Sequence, residues 1–151
     1  MSSYSQHFMK MAIQQARLAF ELDEVPVGAV VISKGCIIGF GHNQVIAQKS
    51  VAAHAEIIAI NNASRAINNY RLVDCDLYVT LEPCHMCAKA IVDSRITNLY
   101  FSTLEPKTGA IISVDNFLDS KHLNHQVNYS YGHMKNKSAG LLQSFFQSKR
   151  S

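Results

Sequence analysis

Over residues 5–22 the apolar positions Phe8, Met11, Ala12, Ala16, Ala19 and Phe20 recur at helical spacing and predict an amphipathic helix laid on a core. Met9, Met11 and Phe20 form a stripe that reads as a face toward the domain's own sheet. The period then changes. Glu24-Val25-Pro26-Val27-Gly28-Ala29 breaks the helix, and Val30-Val31-Ile32, a Ser33-Lys34-Gly35 turn and Cys36-Ile37-Ile38-Gly39-Phe40-Gly41 predict a β-hairpin. Pro26 and Gly28 read as punctuation. His42-Asn43 opens a polar segment to Ser50, and residues 57–63 predict a buried helix. Leu77-Tyr78-Val79-Thr80-Leu81 has the aromatic and β-branched character of a buried strand. Pro83 suits a first helical position, so residues 84–92 predict a helix with Cys84 and Cys87 in its first turn. Beyond it come a strand over 96–101, a breaker-rich loop over 103–109, a short helix before His122, a fainter strand pattern over 126–129 and a closing helix over 138–149.

Strands separated by helices after an opening hairpin argue for an α/β chain with a mixed sheet covered by helices on both faces. Such sheets place sites at the ends of strands, where Cys84 stands. A length of 151 residues with 48% hydrophobic content is that of one domain spanning 1–151. Fourteen basic against eleven acidic side chains give a formal charge of +3, which permits contact with a polyanion without announcing it. Of the four cysteines, Cys36 and Cys75 lie in apolar strand-like stretches and read as buried, inert thiols. No disulfide framework, signal segment or membrane span is expected, and a reducing cytoplasm fits.

The chemistry concentrates in two short stretches. A C-x-x-C after a strand is ambiguous, because a redox pair has the same placement. His54-Ala55-Glu56 upstream decides: one His and two Cys make a three-ligand zinc set with an open fourth position, which suits catalysis rather than a closed structural site. Residues two apart on a regular helix point about 200° apart. His54 and Glu56 therefore converge only at a helix beginning, and two helix N-termini are expected to face one metal. H-x-E with P-C-x-x-C is the signature of zinc nucleobase deaminases. Zinc lowers the pKa of bound water toward about 7, and a carboxylate beside it carries the proton. Glu56 is the candidate shuttle. His85 reads as a solvent-facing helix position rather than a fourth ligand, and Asn43 as a turn residue or an amide that reads a base edge.

With these motifs in place, the chain resembles the cytidine-deaminase-like superfamily and, within it, the bacterial tRNA-specific adenosine deaminases. The likeness extends through Glu24-Val25-Pro26-Val27-Gly28-Ala29-Val30, Asn69-Tyr70-Arg71-Leu72, residues 77–84, Ser94-Arg95-Ile96, Pro106-Lys107-Thr108-Gly109-Ala110, Asn124-His125 and Phe145-Phe146. It implies a three-layer α/β/α fold with a five-stranded mixed sheet, a homodimer with one zinc ion per chain, and conversion of adenosine to inosine at the wobble position of a tRNA anticodon loop. Carried across, His54, Cys84 and Cys87 match the zinc ligands and Glu56 the proton shuttle. Asn43 matches the amide that meets the flipped base, with the Ala55 N–H beside it. Glu105, Lys107, Asn124, Phe145 and Arg150 fall where that family contacts the anticodon loop. The chain departs from the family's pattern at Glu105, usually Asp, at Lys89, usually Gly, at His85, usually small or apolar, and at Val51-Ala52, usually Pro-Thr.

Two other readings share the zinc motifs: deamination of a free base or nucleoside of guanine or cytosine type, and a non-catalytic zinc or RNA-binding relative. Glu56 argues against the latter, since a non-ligand carboxylate two residues from a ligand serves no structural need. A thioredoxin-like reading leaves His54 and Glu56 unexplained.

Overall fold

The computed structural model describes residues 3–150. A helix α1 (Gln6–Glu21) leads into the hairpin β1 (Gly28–Ser33) and β2 (Cys36–His42). A short helix α2 (Val45–Gln48) interrupts the segment read as polar, three of its four residues being apolar, and precedes α3 (Ala55–Ile67). Then follow β3 (Cys75–Leu81), α4 (His85–Asp93), β4 (Asn98–Thr103), a single 3-10 turn (Phe117–Asp119), β5 (Asn128–Tyr131) and α5 (Lys135–Arg150). The five-stranded sheet runs in the order β2-β1-β3-β4-β5, antiparallel through the first three strands and parallel from β3 to β5.

Side chains alternate across the pleat and both faces are covered over the central strands β1, β3 and β4, which are buried almost throughout. Ala29, Val31, Leu77, Val79, Leu99 and Phe101 face α3 and α4, meeting Ala55, Ala59, Ala63, Ala88, Ile91 and Val92. Val30, Ile32, Tyr78 and Tyr100 face the other way, against Met9, Ala12 and Ile13 of α1 and Leu141 of α5. The fold is therefore three-layer α/β/α.

Gly28 is more than punctuation. A Cβ there would overlap the Ala12 carbonyl oxygen of α1, and Cβ atoms on Gly39 and Gly41 would overlap the Ala59 and Ala55 carbonyl oxygens of α3. The hairpin thus lets two helix backbones rest directly on it. Three further expectations shift. Cys36 is exposed at the start of β2, whereas Cys75 is buried as expected. The first position of an edge strand beside a turn leaves that side chain uncovered. Pro83 precedes α4 rather than opening it: Cys84 is the N-cap, at φ −78° and ψ 177°. The predicted helix before His122 shrinks to the 3-10 turn.

Candidate active site

The C-terminal end of β3 delivers Glu82, Pro83 and Cys84, and the parallel β4 beside it sends the 104–113 loop over the same end. His54 is the N-cap of α3 as Cys84 is of α4. Two helix N-termini converge, as the motif spacing requires. His54 Nδ1 lies 3.5 Å from Cys87 Sγ and 3.7 Å from Cys84 Sγ, and the three ligand atoms all fall within 4.8 Å of one another. With metal–ligand bonds of about 2.0 Å to nitrogen and about 2.3 Å to sulfur, a tetrahedral zinc ion separates N and S by about 3.5 Å. Both nitrogen–sulfur separations match that value, and the group fits one zinc ion.

The neighbouring Cys87, against burial and with help from His54, holds the Cys84 thiol down at about 3. Cys84 beside it and burial push Cys87 well above the ordinary thiol range. His54 is raised, chiefly by its hydrogen bond with Cys84. A ready thiolate at a helix N-terminus is what a zinc ligand needs.

Glu56 is buried in the first turn of α3. Burial pushes its carboxyl up to about 7, against the lowering pull of its own backbone N–H and of His54. It opens on a cavity of about 510 Å³ shared with Asn43, His54, Cys84 and Phe145. The cavity wall is mostly apolar: Val25, Val27, Val45, Ile46 and Leu81. Asn43 Oδ1 accepts the Ala55 N–H at 2.9 Å, which fixes the side-chain amide with Nδ2 left over as a donor.

The remaining expected residues spread more widely. Phe145 is buried, edge-on to Phe20 and Phe146, and lines the cavity, so one side chain is both core and wall. Glu105, half-buried, and the exposed Lys107 sit on the loop above, where Glu105 Oε1 accepts the Lys107 N–H at 3.0 Å. Asn124 and Arg150 are exposed and do not line the cavity. His85 is exposed and 2.9 Å from Asp115 Oδ2, a solvent-facing position as read. Lys89 pairs with Asp93 one turn on, at 2.7 Å.

Sequence reasoning missed two carboxylates that shape the site. Glu82, 2% exposed, accepts the N–H groups of Glu105, Ile111, Ile112 and Ser113 and the Ser113 hydroxyl, and so ties down the whole 105–113 loop. Burial raises its pKa, but the Ser113 hydroxyl and the loop amides outweigh that and hold it below the usual range. Glu24, 3% exposed, accepts the Ile46 and Ala47 N–H groups and fixes α2 as part of the cavity wall. A charged residue inside an apolar run, as in Leu81-Glu82-Pro83, was the available signal.

Fold and site together define a zinc-dependent deaminase. The cytidine and deoxycytidylate deaminase zinc-binding region matches residues 2–103. The tRNA-specific adenosine deaminase of Aquifex aeolicus is 46% identical over 97% of this chain and 96% of its own, and that of Bacillus subtilis 40% identical over 95% and 89%. A solved structure from work on A-to-I editing by tRNA:A34 deaminases at the wobble position of transfer RNA superposes with a TM-score of 0.89 at 42% identity, covering 91% of this chain and all of the other. The guanine deaminase of Nitrosomonas europaea, at 22% identity and a TM-score of 0.78 over 95% of this chain and 85% of its own, shares the fold. The chain belongs to the family of tRNA-specific adenosine deaminases.

Proposed function

We propose that the protein, a single deaminase domain, hydrolyses adenosine to inosine and ammonia at the wobble position of a tRNA anticodon, with one zinc ion held by His54, Cys84 and Cys87. The observation that carries this reading is the buried, non-ligand Glu56 beside the three-ligand group, at the base of an apolar cavity. When bound, zinc supplies an acidified water as nucleophile at its open position. Glu56 would take one proton from the attacking water and pass it to the ring nitrogen, then carry that water's second proton to the amine, which leaves as ammonia as the carbonyl forms. Glu56 is suited to that relay because it is buried beside the ligand group, opens on the cavity and is not itself one of the ligands. Asn43 Nδ2 meets an acceptor on the base, its Oδ1 being occupied by Ala55. The apolar wall takes the purine and excludes water.

Glu105, Lys107, Asn124, Phe145 and Arg150 are proposed to meet the flanking nucleotides, with Lys107 at the open rim of the 105–113 loop. A homodimer and a cytoplasmic location complete the reading. An anticodon loop is larger than one chain's cavity, and Tyr70 and Val73 expose apolar surface at 66% and 61% for a second copy to use. The free cysteines suit a reducing compartment, and among the described residues no helix is long and apolar enough to cross a membrane.

The test compares an anticodon stem-loop carrying wobble adenosine with free adenosine, guanine and cytidine, reading inosine or ammonia. Strong preference for the stem-loop is expected. Efficient turnover of a free base with none on the stem-loop overturns the substrate assignment in favour of small-molecule deamination. Light scattering at micromolar concentration reads the dimer, and a monomer there removes that part.

A further inference from the structure

Lys10, Gln14 and Arg17 stand at i, i+4 and i+7 of α1, so they share one face, and all three are exposed. Opposite them, the exposed Lys137 projects from the first turn of α5. These four side chains rim a groove of about 230 Å³ whose floor is Ile13 and Met134. No acidic side chain lines it. Among the described residues the ion pairs are His85–Asp115, Lys89–Asp93 and Lys149–Asp23, and none involves Lys10, Arg17 or Lys137. Glu21, one turn beyond Arg17, is not paired with it.

Three uncompensated cations from two helices repel one another across one groove. The formal net charge of the chain is only +3, so this is a local concentration rather than an evenly basic surface. A polyanion removes the repulsion and gains from releasing its own counterions. No aromatic side chain lines the groove, so it offers nothing for bases to stack on. Its chemistry is that of a phosphate contact.

Both helices connect the groove to the catalytic cavity. α1 ends at Glu21, just before the cavity-lining Asp23 and Glu24, and α5 carries Phe145 and Lys149, which also line that cavity. At about 1.5 Å per residue, Gln14 to the end of α1 at Glu21 spans about 10 Å and Lys137 to Phe145 about 12 Å along the helix axes. The groove therefore lies within reach of the backbone on either side of a loop whose base enters the cavity. We propose that the α1–α5 groove is a second RNA contact, in which Lys10, Arg17 and Lys137 hold backbone phosphates of the arm that presents the reacting loop. This rests on the wobble-deaminase reading for its substrate, and it adds a site that reads charge rather than sequence.

The test measures binding of an anticodon stem-loop from about 50 to 200 mM salt, together with inosine formation, for the zinc-loaded protein and its Lys10→Gln/Arg17→Gln/Lys137→Gln variant. Affinity at the low-salt end should fall about ten-fold or more, and the log–log salt slope should flatten by about 2.1 to 2.7, since each of the three lost contacts removes about 0.7 to 0.9. Turnover at saturating RNA, zinc content and unfolding midpoint should stay unchanged. Each single Gln variant should show about a third of the slope change, which guards against a triple variant that folds poorly. A Lys34→Gln/Lys121→Gln protein, altered at exposed lysines outside the groove, should keep the original slope. Wild-type affinity and slope in the triple variant, or an equal loss in the control, overturns the groove. If the wild-type protein binds the stem-loop through these three residues but forms no inosine, the wobble assignment falls and the groove stands.

Discussion

Asn43 caps a helix that begins twelve residues after it: its Oδ1 accepts the Ala55 N–H at 2.9 Å. The N-cap of α3 is His54, which makes no side-chain cap bond and turns its ring to the two thiols instead. Asn43 therefore replaces the cap that the metal site removes. Asn43→Ala should cost about 1 to 2 kcal/mol of stability, the usual effect of losing a cap acceptor. Asn43→Asp should restore most of it while lacking the Nδ2 donor. Urea unfolding of the three proteins measures this, and an alanine variant as stable as wild type would falsify the capping role.

Cys87 is fully buried and closest to His54 of the two thiols. Cys87→Ser should bind less than one zinc per chain by elemental analysis and unfold at lower temperature, because the ion ties two helix starts together. Full occupancy in that variant would mean that other side chains hold the metal.

Glu56→Gln keeps the size of the side chain and removes no ligand. Zinc content and the unfolding midpoint should stay near wild type while turnover falls by about 10²- to 10⁴-fold or more, the range attributed to a positioned acid–base group. Residual activity within a few-fold of wild type would assign the proton transfer elsewhere.

Glu82→Gln leaves a single acceptor oxygen and turns an NH₂ toward amides that are already donors. With five hydrogen bonds converging on one buried carboxylate, the loss should be about 3 kcal/mol, comparable to breaking a buried charged network. Hydrogen exchange should accelerate across residues 105–113 first. Unchanged protection there would show that the loop holds itself.

Tyr78 supplies a pH dependence away from the metal. Burial pushes its phenol up to about 12, against the Ser5 N–H that donates to its oxygen. The unfolded phenol ionises near about 10, so this contribution is intact below pH 10 and is lost as pH rises from about 10 to about 12. The two-unit gap corresponds to about 3 kcal/mol at 1.36 kcal/mol per unit. Tyr78→Phe should start less stable at pH 8, for want of the Ser5 bond, and then lose less than wild type by pH 11. Parallel denaturation curves at both pH values would contradict it.

Elements with strong periodicity were legible in the sequence: the α1 stripe, the hairpin with its Ser33-Lys34-Gly35 turn, and β3 into the Cys84 helix. So was the convergence of His54, Cys84 and Cys87, because the spacing around Glu56 demanded a helix start. α2 was not legible, since four residues, though three are apolar, are too few to show a helical period, and the turn is held by Glu24, twenty-two residues before Ile46. The same limit hid Glu82, whose partners lie on a loop more than twenty residues away. Cys36 was misplaced because apolar neighbours along the chain say nothing about a strand's position at the sheet edge.

The glycines of the hairpin bear on how this protein can vary. Where α1 and α3 rest on Gly28, Gly39 and Gly41, main chain meets main chain or the short side chains of Ala59 and Ala63, and the spacing there is set without any large side chain. The frame that carries His54 and Glu56 is thereby insulated from changes in the lining. Val45, Ile46 and Phe145 belong to the wall and not to that frame, so the cavity can be recut for a differently shaped base while the catalytic geometry stays where the backbone put it.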